Sequence, residues 1–327
     1  MAPNPVLFRI GSLSVYWYGV LIVAGSMLAA QIASWLSRRN GHNPEIAWNM
    51  LLILLLAGIL GGRLYHIASS WDYYRVHPGE MFGIQMSGFG IYGSVIGGII
   101  ALWIYCKSQK LRFLEWTDYI APGLLLAQAI GRWGNYFNSE LYGDCTTLPW
   151  GVYIPPANRL EWLANCERFH PTFFYESGLN LIGAAILFVL ALRWKKGRLW
   201  GDIFFLYGLI YPTIRFYIEQ PMFRPDAYHV AGWMIGGLPM ARVISIIAFV
   251  FFAALLLVRH RLRRPNMVYT PGEPWHDIAL SADAAAVQSA AEQWAAGNAA
   301  IGAPEDETLA GEDKVSDEHN AEEQAPE

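Results

Sequence analysis

The sequence predicts an all-α polytopic membrane protein, on three observations. More than half of its 327 residues are hydrophobic, at 54%, and the mean hydropathy is +0.25. Seven apolar stretches approach the ~20 residues that cross a bilayer as a helix. The Lys and Arg residues gather in alternate connecting segments, the pattern that sets the orientation of membrane proteins.

The first stretch, Val15–Leu36, follows no basic leader and runs into Arg38-Arg39, so it is expected to remain as a span and not to be cleaved. The second, Trp48–His66, carries Gly61-Gly62-Arg63 near its end. The third, Phe89–Cys106, opens with Gly90-Ile91-Tyr92-Gly93 and contains Gly97-Gly98, small enough for close helix packing. The fourth, Trp116–Phe137, holds Pro122 and Gln128, and the sixth, Asp202–Ile218, holds Pro212 and Arg215. These two are the weakest, although neighbouring helices can re-satisfy a backbone broken by proline. Thr172–Leu192 and Met240–Val258 are the fifth and seventh.

Thirteen basic residues follow the odd-numbered stretches: Arg38 and Arg39; Lys107, Lys110 and Arg112; Arg193, Lys195, Lys196 and Arg198; Arg259, Arg261, Arg263 and Arg264. Short basic loops stay in the cytoplasm. The N-terminus is therefore expected outside and the C-terminus in the cytoplasm; the family resemblance given below implies the cytoplasmic (inner) membrane of a bacterium. The chain divides into residues 1–137, four spans with an outer loop near 67–88; 138–171, an extracytoplasmic head loop; 172–264, three spans; and 265–327, a tail. Residues 266–327 hold 14 acidic residues and one lysine, Lys314, and lack the apolar content for a core. They are expected to be disordered and cytoplasmic, with a transient helix over Ser281–Ala296. Removing them leaves a body of 22 basic and 13 acidic groups, so the overall charge of −4 describes the tail more than the body.

The chain has three cysteines. Cys106 reads as a small packing residue. Cys145 and Cys166 both fall in the exported loop, where an oxidising compartment permits a disulfide. Such a bridge would close a loop of about 20 residues, worth ~3 kcal/mol in the chain-entropy model, but spacing alone leaves two free thiols equally open.

Candidate chemistry concentrates on the outer side. Gly131 to Gly143, GRWGNYFNSELYG, packs Arg132, Asn135, Asn138 and Glu140 directly behind an apolar segment. Charged groups at membrane depth are costly and usually face a partner or a substrate. The loop that follows is punctuated by Gly143, Pro149, Gly151, Pro155 and Pro156, with one short helix expected near Asn158–Asn165. His170 and Glu176 stand at the mouth of the fifth span, and Arg215, Glu219, Arg224 and Asp226 at the outer end of the sixth. Each has a plain structural reading. Tyr16, Trp17 and Tyr18 fit an interfacial aromatic belt, Arg215 and Glu219 are an i,i+4 pair, and His170 beside a proline suits a loop hydrogen bond. Together they suggest more: Arg63, Arg132 and Arg215 outnumber Glu140 and Glu219, and surplus arginine at a lipid interface suits a phosphate-bearing headgroup. A transporter would place such groups near the midplane, with internal repeats. A metal-dependent enzyme would cluster its carboxylates. Neither pattern is present, and nothing points to a metal, a cofactor or a nucleic-acid partner.

The GRWGNYFNSELYG run resembles the signature of bacterial phosphatidylglycerol–prolipoprotein diacylglyceryl transferases. Trp17-Tyr18-Gly19, Gly61-Gly62-Arg63, Leu148-Pro149-Trp150-Gly151, His170-Pro171-Thr172 with Tyr175-Glu176, and Arg215-Phe216 with Glu219 before Arg224-Pro225-Asp226 agree with that family in order and spacing. The resemblance spans about residues 8–262 and excludes the tail. It implies seven spans, a head domain over a lipid-accessible cavity, and transfer of a diacylglyceryl group from phosphatidylglycerol to the lipobox cysteine of a prolipoprotein, with glycerol phosphate leaving.

It further implies that Arg132 and Arg215 bind or stabilise the phosphate. Asn135 would donate to the headgroup, Glu140 and Glu219 would orient the arginines, Gly143 would supply backbone geometry, and Tyr18 would face the lipid. Arg63, Asn138, Tyr92 and His170 join the expected phosphatidylglycerol site. One departure matters. Many members carry Phe-His-Gly-Gly where this chain has Ile91-Tyr92-Gly93-Ser94, and tyrosine, with a pKa of ~10, is a poor base near neutrality. The base is then His170 or a glutamate, or the arginine field alone raises the thiolate fraction.

Overall fold

The computed structural model describes residues 3–11, 13–81, 88, 90–229, 234–262 and 267–269, with Ser289. The expected tail, including the helix over 281–296, otherwise lies outside the described residues, as do Phe89, Arg263 and Arg264. Contacts divide the chain after Asp277, and the first unit carries everything that follows.

A hairpin of β1 (Val6–Ile10) and β2 (Leu13–Tyr16) leads into α1 (Trp17–Arg39). Then come α2 (Glu45–Ser69), the short α3 (Trp71–Tyr74), α4 (Ile91–Ser108) and α5 (Phe113–Asn138). The segment after α5 contains the paired strands β3 (Val152–Tyr153) and β4 (Arg168–Phe169). The rest is α6 (Thr172–Arg193), α7 (Asp202–Ile218), α8 (Asp226–His229), the hairpin β5 (Met234–Ile235) and β6 (Leu238–Pro239), and α9 (Met240–Arg261).

Long helices thus lie over all seven expected segments. Five of them, α1, α2, α4, α6 and α9, are long and apolar enough to cross a membrane. The other two are the proline-containing pair. α5 carries Glu115, Asp118 and Arg132, and α7 is 17 residues long. Their apolar signal is weak because they are the sheltered helices: α5 packs against α1, α6 and α7, and α7 also packs against α6 and α9.

Glycine permits the closest of these contacts. A Cβ on Gly93 would lie 2.2 Å from the Gly61 carbonyl oxygen, and one on Gly97 would lie 2.6 Å from that of Ala57, so α2 and α4 touch backbone to backbone. Gly98, in contrast, borders open space.

Residues 139–171 build a small body with its own core of Tyr142, Ile154, Leu163 and Phe169. Cys145 and Cys166 are disulfide-bonded, with Cα atoms 5.7 Å apart. The single helix expected near Asn158–Asn165 is instead two 3₁₀ turns, Pro156–Asn158 and Glu161–Leu163. Arg159 separates them by donating to the carbonyls of Ile154 and Ala164, which turns the chain.

Candidate active site

The motif at the end of α5 acquires its shape from a turn. Ser139 and Leu141 have φ of 55° and 53°, a left-handed conformation that a leucine rarely adopts. The turn folds the chain back, so the Glu140 amide donates to the Asn135 carbonyl at 3.0 Å. Asn135 and Asn138 each donate a side-chain amide to Glu140 Oε1, at 2.9 and 3.1 Å. Glu140 is exposed and is held by amides, among the described residues, not by the arginines it was expected to orient. Such strain at a site-forming turn is typical of functional segments.

The arginines are oriented by a different carboxylate. Glu176, buried in the first turns of α6, accepts from Arg132 Nη2 at 2.9 Å and from Arg215 Nη1 at 3.0 Å on one oxygen. Arg215 also pairs with Glu219. Glu219 in turn accepts from Arg224 Nη1 at 3.2 Å, and Arg224 grips Asp226 with two bonds of 2.9 Å. Three arginines and three carboxylates alternate along one ladder that ties α5, α6, α7 and α8 together. The expected arginine surplus is therefore corrected: Glu176, Glu219 and Asp226 balance Arg132, Arg215 and Arg224. The signal that finds Glu176 is a lone carboxylate inside an apolar span, which needs a partner. The carboxylates are nearly sealed, Glu176 and Glu219 exposing 3% and 2% of their side chains, whereas Arg132 and Arg215 expose 21% and 16%. In these two rungs the anions are fixed inside and the cations face outward, while at the last rung Asp226 is the more exposed partner of Arg224.

Six residues along α5 from Arg132, Asn138 borders an open apolar cavity of about 1090 Å³, lined also by Tyr16, Tyr18, Val20, Val23 and Met27 and by none of the ladder residues. Tyr18 rests its ring on Gly134, where a Cβ would come within 2.0 Å of it. The cavity thus touches the same helix end that carries Arg132 and Asn135.

Gly143 and His170 form a backbone seam beneath the head segment. The Gly143 amide donates to the His170 carbonyl at 2.9 Å, and that of Asp144 to Met222 at 2.8 Å. A Cβ on Gly143 would lie 2.6 Å from the Met222 carbonyl oxygen, so only glycine fits. His170 is buried, with Nδ1 3.3 Å from the Tyr175 hydroxyl, and this burial holds its pKa below the ordinary 6.5 against a smaller opposing pull from Asp144.

Arg63 and Tyr92 stand apart from both the ladder and the turn at the end of α5. The Arg63 guanidinium is buried and donates to the main-chain carbonyls of Met81, Glu80 and Gly88, at 2.7, 2.6 and 3.4 Å, with the Tyr74 ring alongside. It ties down the chain after α3, because a buried guanidinium must spend its donors somewhere. Tyr92 is half-exposed at the start of α4, and its ring packs 6.0 Å from that of Tyr65. Among the described residues no hydrogen bond links it to Arg132 or Arg215.

Five helices long and apolar enough for a bilayer, with a ladder of ion pairs joining the ends of their neighbours, define an integral membrane protein. Residues 5–258 match the prolipoprotein diacylglyceryl transferase family, and the chain belongs to it. It is similar to proteins named phosphatidylglycerol–prolipoprotein diacylglyceryl transferase. The one from Chloroflexus aggregans is 39% identical over 76% of this chain and 86% of its own length. That from Acaryochloris marina is 39% identical over 75% and 87%, and that from Trichormus variabilis 36% identical over 81% and 92%.

Proposed function

We propose that the chain catalyses the reaction for which these relatives are named. It transfers the diacylglyceryl group of phosphatidylglycerol to the lipobox cysteine of a prolipoprotein, the first step of lipoprotein maturation. The cysteine sulfur forms a bond to the glycerol carbon, and the bond from that carbon to the phosphate oxygen breaks. Glycerol phosphate leaves with the bonding pair, and the thiol gives up its proton.

The observation that carries this reading is the pair Arg132 and Arg215, sharing Glu176 at 2.9 and 3.0 Å at the end of α5 where Asn138 borders an apolar cavity. A guanidinium has five donors, and Glu176 takes one from each arginine, leaving others for a phosphate. Because the buried carboxylates fix both forks in advance, little reorganisation accompanies the developing charge on the leaving group. Preorganised donors of this kind usually contribute more to catalysis than any other single effect. Tyr18 and Asn138 on the cavity wall position the diacylglycerol end. Asn135, with one amide hydrogen committed to Glu140, holds the turn that presents Arg132. The arginine field favours the acceptor thiolate. His170, with Nδ1 directed at Tyr175, acts through the Gly143 seam.

All seven long helices span the membrane in this reading, with α5 and α7 shielded by their neighbours. The N-terminus is then outside, the C-terminus in the cytoplasm and the ladder toward the outer leaflet, a reading supported by the basic loops. Residues 138–171 form the extracytoplasmic head, and the acidic tail is cytoplasmic. The test is direct. Purified protein in phosphatidylglycerol liposomes is given a synthetic lipobox peptide, and the peptide's cysteine is expected to gain the mass of one diacylglyceryl group. An unchanged peptide with folded protein overturns the proposal.

A further inference from the structure

The ladder of Arg132, Arg215 and Arg224 with Glu176, Glu219 and Asp226 is internally neutral. One more arginine abuts it. Arg242, in the first turn of α9, lays its guanidinium over the Phe216 ring, 4.2 Å from the centroid, and Phe216 directly follows Arg215. Its Nη1 donates to the Tyr228 hydroxyl at 3.0 Å, and that hydroxyl donates to the Glu219 carbonyl at 3.1 Å. Among the described residues no carboxylate lies within ion-pair distance of Arg242, and its buried Nε meets no acceptor. Glu140, the remaining carboxylate near α5, is exposed, so water screens it more than it screens the half-buried Arg242. An arginine merely snorkelling to the interface keeps its head in water. Arg242 buries its Nε and commits Nη1 to Tyr228, and it stands at the end of the bundle from which the basic loops are absent.

We propose that Arg242 supplies the uncompensated positive charge of the site and so sets its preference for an anionic over a zwitterionic donor headgroup. This rests on the donor reading given above. Phosphatidylglycerol carries one net negative charge, whereas in phosphatidylethanolamine an ammonium cancels the phosphate. Against a neutral ladder, the charge that distinguishes the two is that of Arg242. The leaving phosphate monoester is more negative than the diester donor, so the same charge also favours departure.

The test uses full-length protein in liposomes of phosphatidylglycerol diluted into phosphatidylcholine, with a lipobox peptide as acceptor. Arg242→Met keeps length and the contact with Phe216 but removes charge, and Arg242→Lys keeps charge but loses the planar fork. Arg242→Gln serves as a second uncharged variant if Arg242→Met does not purify folded. The apparent KM for phosphatidylglycerol is expected to rise about tenfold in the uncharged variants, more than kcat falls, and to stay within about threefold in Arg242→Lys. Purified wild-type protein, presented with equal phosphatidylglycerol and phosphatidylethanolamine, should retain mainly the former by native mass spectrometry. That bias should fade in Arg242→Met and persist in Arg242→Lys. Equal loss in the charged and uncharged variants, or a fall in kcat at constant KM, overturns the proposal in favour of packing. Absence of transfer by the wild type overturns the donor reading instead, and the retained-lipid ratio still decides the role of Arg242.

Discussion

The two ends of α5 carry comparable polar clusters with opposite character. Toward its start, Asp118 accepts from Arg198 Nη2 at 3.1 Å and from the amides of Gly201 and Phe204, and Glu115 accepts from His42 at 2.7 Å and from Tyr119. Arg198 is 2% exposed and Asp118 fully buried. The Tyr269 ring stacks on Arg198, and the Tyr269 amide donates to the Arg198 carbonyl, closing this end with the chain that follows α9. Toward the other end, Arg132 reaches one carboxylate oxygen among the described residues and stays one-fifth exposed. A sealed pair holds helices together, whereas a cation anchored on one side and open on the other is ready to bind. Charge inside a membrane helix is therefore not in itself a sign of a site. The direction left open is.

Breaking the open end should cost the most activity. Arg132→Ala or Arg215→Ala is expected to lower transfer by a factor of about 10² or more, on the scale of removing one transition-state donor. Thermal unfolding should move far less. A large fall in midpoint with wild-type specific activity in the remaining folded protein would place these arginines with the structural pairs.

Breaking the sealed end should invert that outcome. Asp118→Ala strands a buried guanidinium, a change that typically costs about 3–5 kcal/mol. Yield and thermal midpoint should fall sharply, while protein that does fold keeps its KM for phosphatidylglycerol. A raised KM at unchanged midpoint would remove the distinction between the ends.

The legibility of each end in the sequence follows from the same physics. Five helices announce themselves as apolar runs because lipid surrounds them, while α5 and α7 are muted because protein surrounds them. Arg132, Asn135 and Asn138 are readable since they share one helix end within seven residues. Glu176 is harder to place in the site, because its partner Arg215 on α7 lies 39 residues along the chain and Arg132 on α5 lies further still in the other direction. Arg63 misleads for the opposite reason. Its local sequence looks like that of a ligand-binding arginine, and only the fold brings the carbonyls of Glu80, Met81 and Gly88 to it. Likewise Gly143 is legible as a glycine in a motif, but the reason for it, the Met222 carbonyl, lies far along the chain.

The seam beneath the head offers a finer probe. Gly143→Ala forces a Cβ against the Met222 carbonyl and should reduce both transfer and stability, an intermediate result between the two ends. His170 tests the seam by pH. Its folded pKa is lowered because burial disfavours the imidazolium, so the folded state prefers it neutral. The unfolded chain binds the extra proton first, below its ordinary 6.5, and stability falls as pH drops through that range and is unaffected above it. The midpoint lost between about pH 7 and 5.5 should be smaller in His170→Gln than in wild type. Equal losses would mean that His170 is not held neutral.

The smallest effect is expected at Tyr92. Its ring is half-exposed against Tyr65, and among the described residues no hydrogen bond joins it to the ladder. Tyr92→Phe removes one hydroxyl and should retain transfer within a few-fold of wild type, far above Arg132→Ala. Were the hydroxyl the thiol's base, the variant would lose the roughly 10²–10⁴-fold that positioned proton transfer contributes. Such a loss, in protein that folds normally, would move the catalytic centre from the arginine ladder toward the start of α4. Near-wild-type activity leaves the thiolate to the arginine field, and with it the assignment of chemistry to the open end of α5.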